Sequence, residues 1–177
     1  MRSSRVVLLA ALAGVAIRFA SIYPELPTTM ASHFGAGGKP NGWMPRSGFA
    51  ALSAAVSVLM LLVFLGGPLL LKRVPHPLIN LPNKLYWLAA ERKEATFAYL
   101  ASTIEWLGAT TFVFIGLVNE LVFAANTKPS SELAETPLVV GLVLILSVNV
   151  GSGIAMYLRF ARVPKNAAGA AGVTHGN

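Results

Sequence analysis

Three charged residues interrupt long apolar segments of the sequence: Arg18, Glu105 and Glu120. Charge is costly in a bilayer, so such residues mark either an internal ion pair or a route for ions or protons. Arg18 and Glu120 lie at similar depth in their segments and have opposite signs, which predicts a buried ion pair. Glu105 lies nearer the opposite end, where we expect it to reach lipid headgroups or Arg92 and Lys93.

A transport pathway would need ionisable groups in series across the membrane. Asn149 is the only strongly polar residue that the sequence places near the middle of an apolar segment. Structural pairing of the charges is therefore favoured over transport. A transport function ranks well behind the two functions given at the end of this section.

A loop rich in Gly, Pro and aromatic residues, Pro24 to Ser47, holds the other candidates. His33 could bind a metal, but Glu25 is the only carboxylate in this loop. A metal site needs more ligands than these two. A structural hydrogen-bonding role is therefore favoured for His33, with ligand contact as the alternative, and neither a metal nor a cofactor is predicted.

The same loop has the chemistry of a segment that holds one shape. Pro40-Asn41-Gly42 favours a tight turn, and Trp43 follows where the next apolar segment begins. Aromatic rings of this kind prefer the headgroup region, so we expect an ordered loop with Trp43 at the membrane interface. The candidates for contact with a ligand or partner are His33, Phe34, Asn41 and Trp43.

The elements that must position these residues are membrane helices. Gly48 to Leu71 and Pro137 to Leu158 run for 24 and 22 residues without Asp, Glu, Lys, Arg or His, and about 20 apolar residues cross a bilayer. Residues 6–23 and 104–125 are apolar apart from the charges above. Because backbone groups in lipid must pair internally, the predicted fold is an all-α integral membrane protein with four transmembrane helices.

The rest of the composition agrees with a membrane protein. The mean hydropathy is +0.64, and charged residues make up 12% of the chain, against about 25% in soluble domains. We predict one membrane domain over residues 1–165, followed by a flexible Ala- and Gly-rich tail at 166–177. There is no Cys, which excludes disulfides and thiolate sites.

Basic residues divide unevenly between the two sides of the four predicted spans. Ten fall on one side: Arg2, Arg5, Lys72, Arg73, Lys84, Arg92, Lys93, Arg159, Arg162 and Lys165. Three fall on the other: Lys39, Arg46 and Lys128. Cytoplasmic flanks are the Lys- and Arg-rich ones, so both termini are predicted inside and the Pro24 to Ser47 loop outside. The net charge of +7 is then a topology signal, and nucleic acid is not a predicted partner.

Three local patterns refine this topology. A signal peptide ending near Gly14-Val15-Ala16 is the alternative for the first segment, although the apolar run continues past that point. Rows of small residues such as Ala50/Ala54 and Ser147/Gly151 favour close helix packing. Gly66-Gly67-Pro68 is expected to kink the second span or end it early, and Asn83 to Leu100 is predicted to form an interfacial helix on the cytoplasmic face.

The outer loop carries a signature that resembles a known family. Its parts are Leu26-Pro27, Ser32-His33-Phe34, Gly38-Lys39-Pro40 and Asn41-Gly42-Trp43. They resemble a bacterial membrane domain of unknown function that also forms the N-terminal half of SdpI-type immunity proteins. The resemblance covers residues 6–70 and departs at Asn41, where the family has Asp. It implies a bacterial inner-membrane protein related to proteins of toxin immunity and signal transduction.

Two functions follow from these observations. The first is a small membrane protein that binds or senses a ligand or partner at its outer loop. The alternative is an accessory subunit packed against a larger membrane complex. An enzyme is not expected, because the sequence contains no nucleophile beside a base and no phosphate-binding Gly loop. The predicted partners are the lipid bilayer and a second membrane protein.

Overall fold

The computed structural model describes residues 2–128 and 131–164. The helices are α1 (Ser3–Ile22), α2 (Arg46–Leu61), α3 (Gly67–Leu71), α4 (Lys84–Trp87), α5 (Lys93–Thr127) and α6 (Glu135–Ala161). The strands are β1 (Thr29–Phe34) and β2 (Pro40–Pro45). The predicted tail, residues 166–177, lies outside the described residues.

Four helices are long and apolar enough to cross a membrane, as predicted: Ser3–Glu25, Arg46–Leu71, Lys93–Thr127 and Glu135–Ala161. The all-helical description is incomplete, because β1 and β2 pair as an antiparallel hairpin between the first two spans. We call the end of the bundle that carries this hairpin the hairpin end. The other end, which carries residues 2, 72–92 and 164, is the termini end. The assignment of the termini end to the cytoplasm stays a prediction.

The long helix α5 is the centre of the bundle, and α1 packs along it. Leu8 on α1 and Phe112 on α5 are fully buried at this contact. A Cβ atom at Gly108 would come within 2.6 Å of Phe64 and 2.8 Å of Leu8. The missing side chain at Gly108 therefore lets the first two spans approach α5 closely.

The second span does not end early at Gly66-Gly67-Pro68, contrary to one of the two expectations. A single π-helical turn, Leu62–Gly66, joins α2 to α3, and the helix continues to Leu71. Pro68 has no backbone N–H, and its ring would crowd the carbonyl of Phe64 in a regular helix. The wider turn accommodates both effects.

The close packing expected of the small residues of α2 is not seen within the described chain, where Ala50, Ser53 and Ser57 are only half-buried. No residue of α2 is buried, and Ala54 is exposed. The close approach to α5 occurs at Phe64, in the other half of this span. The hairpin-end half consequently leaves a groove of about 290 Å³ between α1 and α2. On α6, Ser147 and Gly151 are exposed as well.

The interfacial helix predicted over Asn83 to Leu100 is broken. Only the single turn α4 is helical before α5 starts, because α4 caps the end of α6. The Asn83 amide donates to the carbonyls of Phe160 and Ala161, both at 3.0 Å. The Trp87 indole donates to the Phe160 carbonyl at 2.9 Å. These bonds satisfy the last carbonyls of α6 and fix a corner that a continuous helix could not form.

Candidate functional site

The hairpin is an irregular pair of short strands closed by glycines. His33 pairs with Gly42 and Phe34 with Pro40, and the register shifts on both sides of His33. In the turn, Gly37 and Gly38 have φ values of 73° and 69°, a left-handed backbone that suits glycine. The tight turn predicted at Pro40-Asn41-Gly42 was wrong in position: those residues lie in β2, and the chain turns just before them, at Gly37 and Gly38.

Gly38 is also the point where the hairpin docks on the rest of the protein. Its carbonyl accepts from the Leu133 N–H at 2.9 Å, and its N–H donates to Glu135 Oε1 at 2.9 Å. A Cβ atom at position 38 would lie 2.1 Å from the Leu133 carbonyl oxygen. Only glycine can therefore combine this backbone angle with this close approach.

A second attachment joins β1 to the last turns of α5 through Asn126. The Ala31 N–H donates to Asn126 Oδ1 at 2.7 Å. The Asn126 amide donates in return to the Ala31 carbonyl at 2.9 Å. One side chain thus satisfies both backbone groups of a buried strand residue, much as a neighbouring strand would.

The underside of the hairpin is apolar and buried. Leu26 and Met30 are 3% and 1% exposed, and they pack with Val122, Ala125 and Leu133. Phe34 packs against the same cluster. The structure therefore places Phe34 on the inner face, apart from the other three residues predicted to contact a ligand.

The outer face carries His33, Asn41 and Trp43, all exposed. His33 Nδ1 is hydrogen-bonded to Asn41 Oδ1. With the Asn41 amide in this orientation, Nδ1 donates, and the neutral ring then presents Nε2 as an acceptor. The Trp43 ring is 60% exposed, so it is not packed into the fold. We call His33, Asn41 and Trp43 the outer-face residues.

Residues 7–65 match a family model described as "Domain of unknown function (DUF1648)". The match covers one third of the chain and agrees closely with residues 6–70, over which the resemblance was predicted to extend. Neither a curated protein nor a solved structure matches the chain.

The DUF1648 match includes the hairpin but not the residues that hold it. It begins in α1 and ends within the π-helical turn, at residue 65. Asn126, Leu133 and Glu135 all come later in the chain. In this protein the matched region is therefore completed by the second half of the chain.

The Arg18 and Glu120 side chains are in contact near the hairpin end. Arg18 donates through Nε and Nη2 to the two carboxylate oxygens, the Nη2 to Oε2 distance being 2.9 Å. Their side chains are 54% and 40% exposed, so the pair lies on the surface of the bundle. The protein itself does not enclose the pair.

Glu105 has different partners from those expected. It is fully buried and accepts from Ser4 Oγ at 2.6 Å and from Arg5 Nη2 at 2.8 Å. Neither Arg92 nor Lys93 reaches it. The first turn of α1 packs against α5 at this level, and that packing encloses the carboxylate.

The described residues contain no group of three or more His, Cys, Asp or Glu side chains able to hold a metal ion. The outer face of the hairpin offers hydrogen-bonding groups at His33 and Asn41 and an aromatic ring at Trp43. Sequence reasoning missed Asn126 and Glu135, which bind the hairpin backbone. The signal for each was a polar side chain at the end of an apolar segment, beside the loop that it supports.

Proposed function

We propose that this protein is a multi-pass membrane protein that binds a protein or peptide partner through the outer-face residues of its hairpin. The observation that carries the proposal is the contrast between the two faces of this hairpin. The inner face is fixed by Asn126, Gly38 and buried apolar side chains. The outer face leaves an indole, an imidazole and an amide exposed.

The chemistry of the outer face favours a polypeptide partner. Trp is strongly enriched among the residues that contribute most to binding between proteins. Beside it, His33 Nε2 can accept and the Asn41 amide can donate hydrogen bonds. A rigid surface loses little conformational entropy on binding, which favours affinity.

The distribution of basic residues indicates the side of the membrane on which this partner would bind. Under the inside-positive prediction, the hairpin end faces the outside of a bacterial inner membrane. The resemblance to SdpI-type immunity proteins is consistent with this reading, since a protein of that kind meets its toxin or signal at the membrane. The role proposed is recognition and not catalysis.

Photo-crosslinking tests the proposal in cells. A photoreactive amino acid at Trp43 or His33 should give a discrete crosslinked product of fixed mass. Leu85, which is 88% exposed at the termini end, and Val113, which is 67% exposed in the middle of α5, are matched controls that should give none of it. Equal crosslinking from all four positions, or none from the hairpin, would contradict the proposal.

The alternative function, an accessory subunit, has one observation in its favour. Three small residues of α2 are exposed, Ala51, Ala54 and Ala55, and small residues at such spacing suit close packing of a partner helix. Purification of the untagged protein from native membranes separates the two functions. A stoichiometric membrane partner that crosslinks from Ala54 but not from Trp43 supports the alternative.

A further inference from the structure

A long apolar groove lies between α1, α5 and α6. Its volume is about 410 Å³, and its walls include Val7 on α1, Trp106 and Val113 on α5, and Leu144 on α6. Its one hydroxyl-bearing wall residue, Thr110, is hydrogen-bonded to Leu107 and Asn149. The groove therefore presents an apolar surface to any occupant.

The length of the groove matches one leaflet of a bilayer. Its wall on α5 extends from Trp106 to Leu117, which is about 16 Å at 1.5 Å per residue. Half of a bilayer hydrocarbon core is about 15 Å. A single acyl chain that enters from the termini end would therefore lie along the whole groove.

A cationic side chain stands beyond the termini end of this groove. Arg159 follows the wall residue Val148 by just over three helical turns, so it continues the same face of α6. Its guanidinium carbon lies 4.2 Å from the centre of the Tyr99 ring. Tyr99 precedes Trp106 by two turns of α5. In residues 2–128 and 131–164, Arg159 makes no salt bridge.

The α1 side of the same end is also positive. Arg2 Nη1 is buried without a hydrogen-bond partner and lies 3.9 Å from Glu105 Oε1. Arg2 and Arg5 together outnumber the single carboxylate at this site. The first N–H groups of α1 receive no side-chain cap, and the positive end of the helix dipole adds to the local potential.

We propose that the groove binds one acyl chain of an anionic phospholipid, with the headgroup phosphate held by Arg159 at the termini end. An apolar groove of leaflet length and a guanidinium without a carboxylate partner together suit this amphiphile. The site would hold a lipid at a fixed position, separate from the hairpin and from its proposed partner.

Native mass spectrometry of the purified full chain tests the headgroup site. In detergent with equal amounts of phosphatidylglycerol and phosphatidylcholine, the protein should retain one phosphatidylglycerol in preference. Arg159→Gln should lower that preference about fivefold, the usual effect of one basic residue on anionic lipid. Arg73→Gln, an exposed change at the same end, should leave it unaltered. Equal retention of the two lipids, or no effect of Arg159→Gln, would overturn the proposal.

A second pair of variants tests the groove itself. Leu144 and Leu146 are 61% and 52% exposed on α6, but only Leu144 lines the groove. Leu144→Trp should fill the groove and abolish retention of the lipid, whereas Leu146→Trp should not. Retention by a folded Leu144→Trp protein would overturn the proposal. Should that variant fail to fold, the exposed Arg159→Gln change still decides the question.

Discussion

Two charged contacts join α1 to α5, and they differ in how far the protein encloses them. Near the termini end, Glu105 is fully buried and is bound by Ser4 and Arg5. Near the hairpin end, Arg18 and Glu120 meet on the surface, where about half of each side chain is exposed. An Arg–Glu pair thus joins the two helices at each end, with a buried carboxylate at the termini end and an exposed one at the hairpin end.

The hairpin shows the same division within a single element. Asn126 and Glu135 bind its inner face through backbone groups, while the outer-face residues bind little but one another. We infer that enclosed polar contacts set the shape of this protein, and that the exposed ones are available to membrane, ligand or partner. Substitutions at four of these contacts, ordered by the expected loss of stability, test that division.

Glu105→Ala should be the most damaging change. It leaves the buried Ser4 hydroxyl and the part-buried Arg5 guanidinium without their acceptor. Breaking a fully buried ion pair costs about 3–5 kcal/mol, and we expect the lower end of that range because the Arg5 side chain is 33% exposed. Thermal unfolding in detergent measures the effect. Glu91→Ala is the matched control, since Glu91 is 75% exposed and lies 3.8 Å from Arg92; it should change stability by less than about 0.5 kcal/mol. Equal effects of the two variants would contradict the division.

Gly38→Ala should come next, with a loss of about 3 kcal/mol. A left-handed backbone angle costs a residue with a Cβ about 1–2 kcal/mol, and the methyl group would also displace the Leu133 carbonyl. Gly37→Ala separates the cost of the backbone angle from the cost of the clash with Leu133. Gly37 has a similar φ but no atom within 4 Å of its Cβ position. The Gly37→Ala variant should therefore lose only the stability attributed to the backbone angle, about 1–2 kcal/mol. A Gly37→Ala variant as unstable as Gly38→Ala would mean that docking contributes nothing.

Asn126→Ala should cost about 2 kcal/mol, because the Ala31 N–H and C=O lose their partner in a buried position. Thr127→Ala, an exposed change at the next residue, should stay within about 0.5 kcal/mol of wild type. The same unfolding measurement in detergent compares them. If Asn126→Ala were as stable as Thr127→Ala, the hairpin would not depend on α5.

Arg18→Ala should have the smallest effect of the four on thermal unfolding, and a clearly smaller one than Glu105→Ala. The contact is exposed, so water or lipid headgroups can reach the stranded Glu120 carboxylate. Replacing both residues by Leu should restore the wild-type midpoint. A loss of stability as large as that of Glu105→Ala would show that this surface pair contributes as much to holding α1 against α5 as the buried carboxylate does.

Sequence reasoning went furthest where composition and charge were sufficient. Length and apolarity located the four spans, and the matched depth of Arg18 and Glu120 indicated which charges could meet. The Gly and Pro content of the Pro24 to Ser47 loop indicated an ordered segment, although its turn lies at Gly37 and Gly38 and not at Pro40-Asn41-Gly42. These features depend on the residue types within a short stretch of sequence, so they can be predicted without knowing the fold.

What the sequence could not supply depends on three-dimensional packing. Nothing local assigns Glu105 to Ser4 and Arg5, since that choice depends on how α1 lies along α5. Asn126 is ninety-five positions from Ala31 along the chain, so its role as a substitute strand is visible only after folding. The broken helix at Asn83 was missed for the same reason, because its cause is the end of α6.

Amide hydrogen exchange of the full chain in detergent tests most directly whether the hairpin is a fixed surface. We predict that the Ala31 and Gly38 amides exchange far more slowly than in an unstructured peptide. Asn126→Ala should remove the protection of Ala31, whereas Ala at His33, Asn41 and Trp43 together should leave it in place. Exchange across residues 29–45 as fast as in an unstructured peptide would contradict the account.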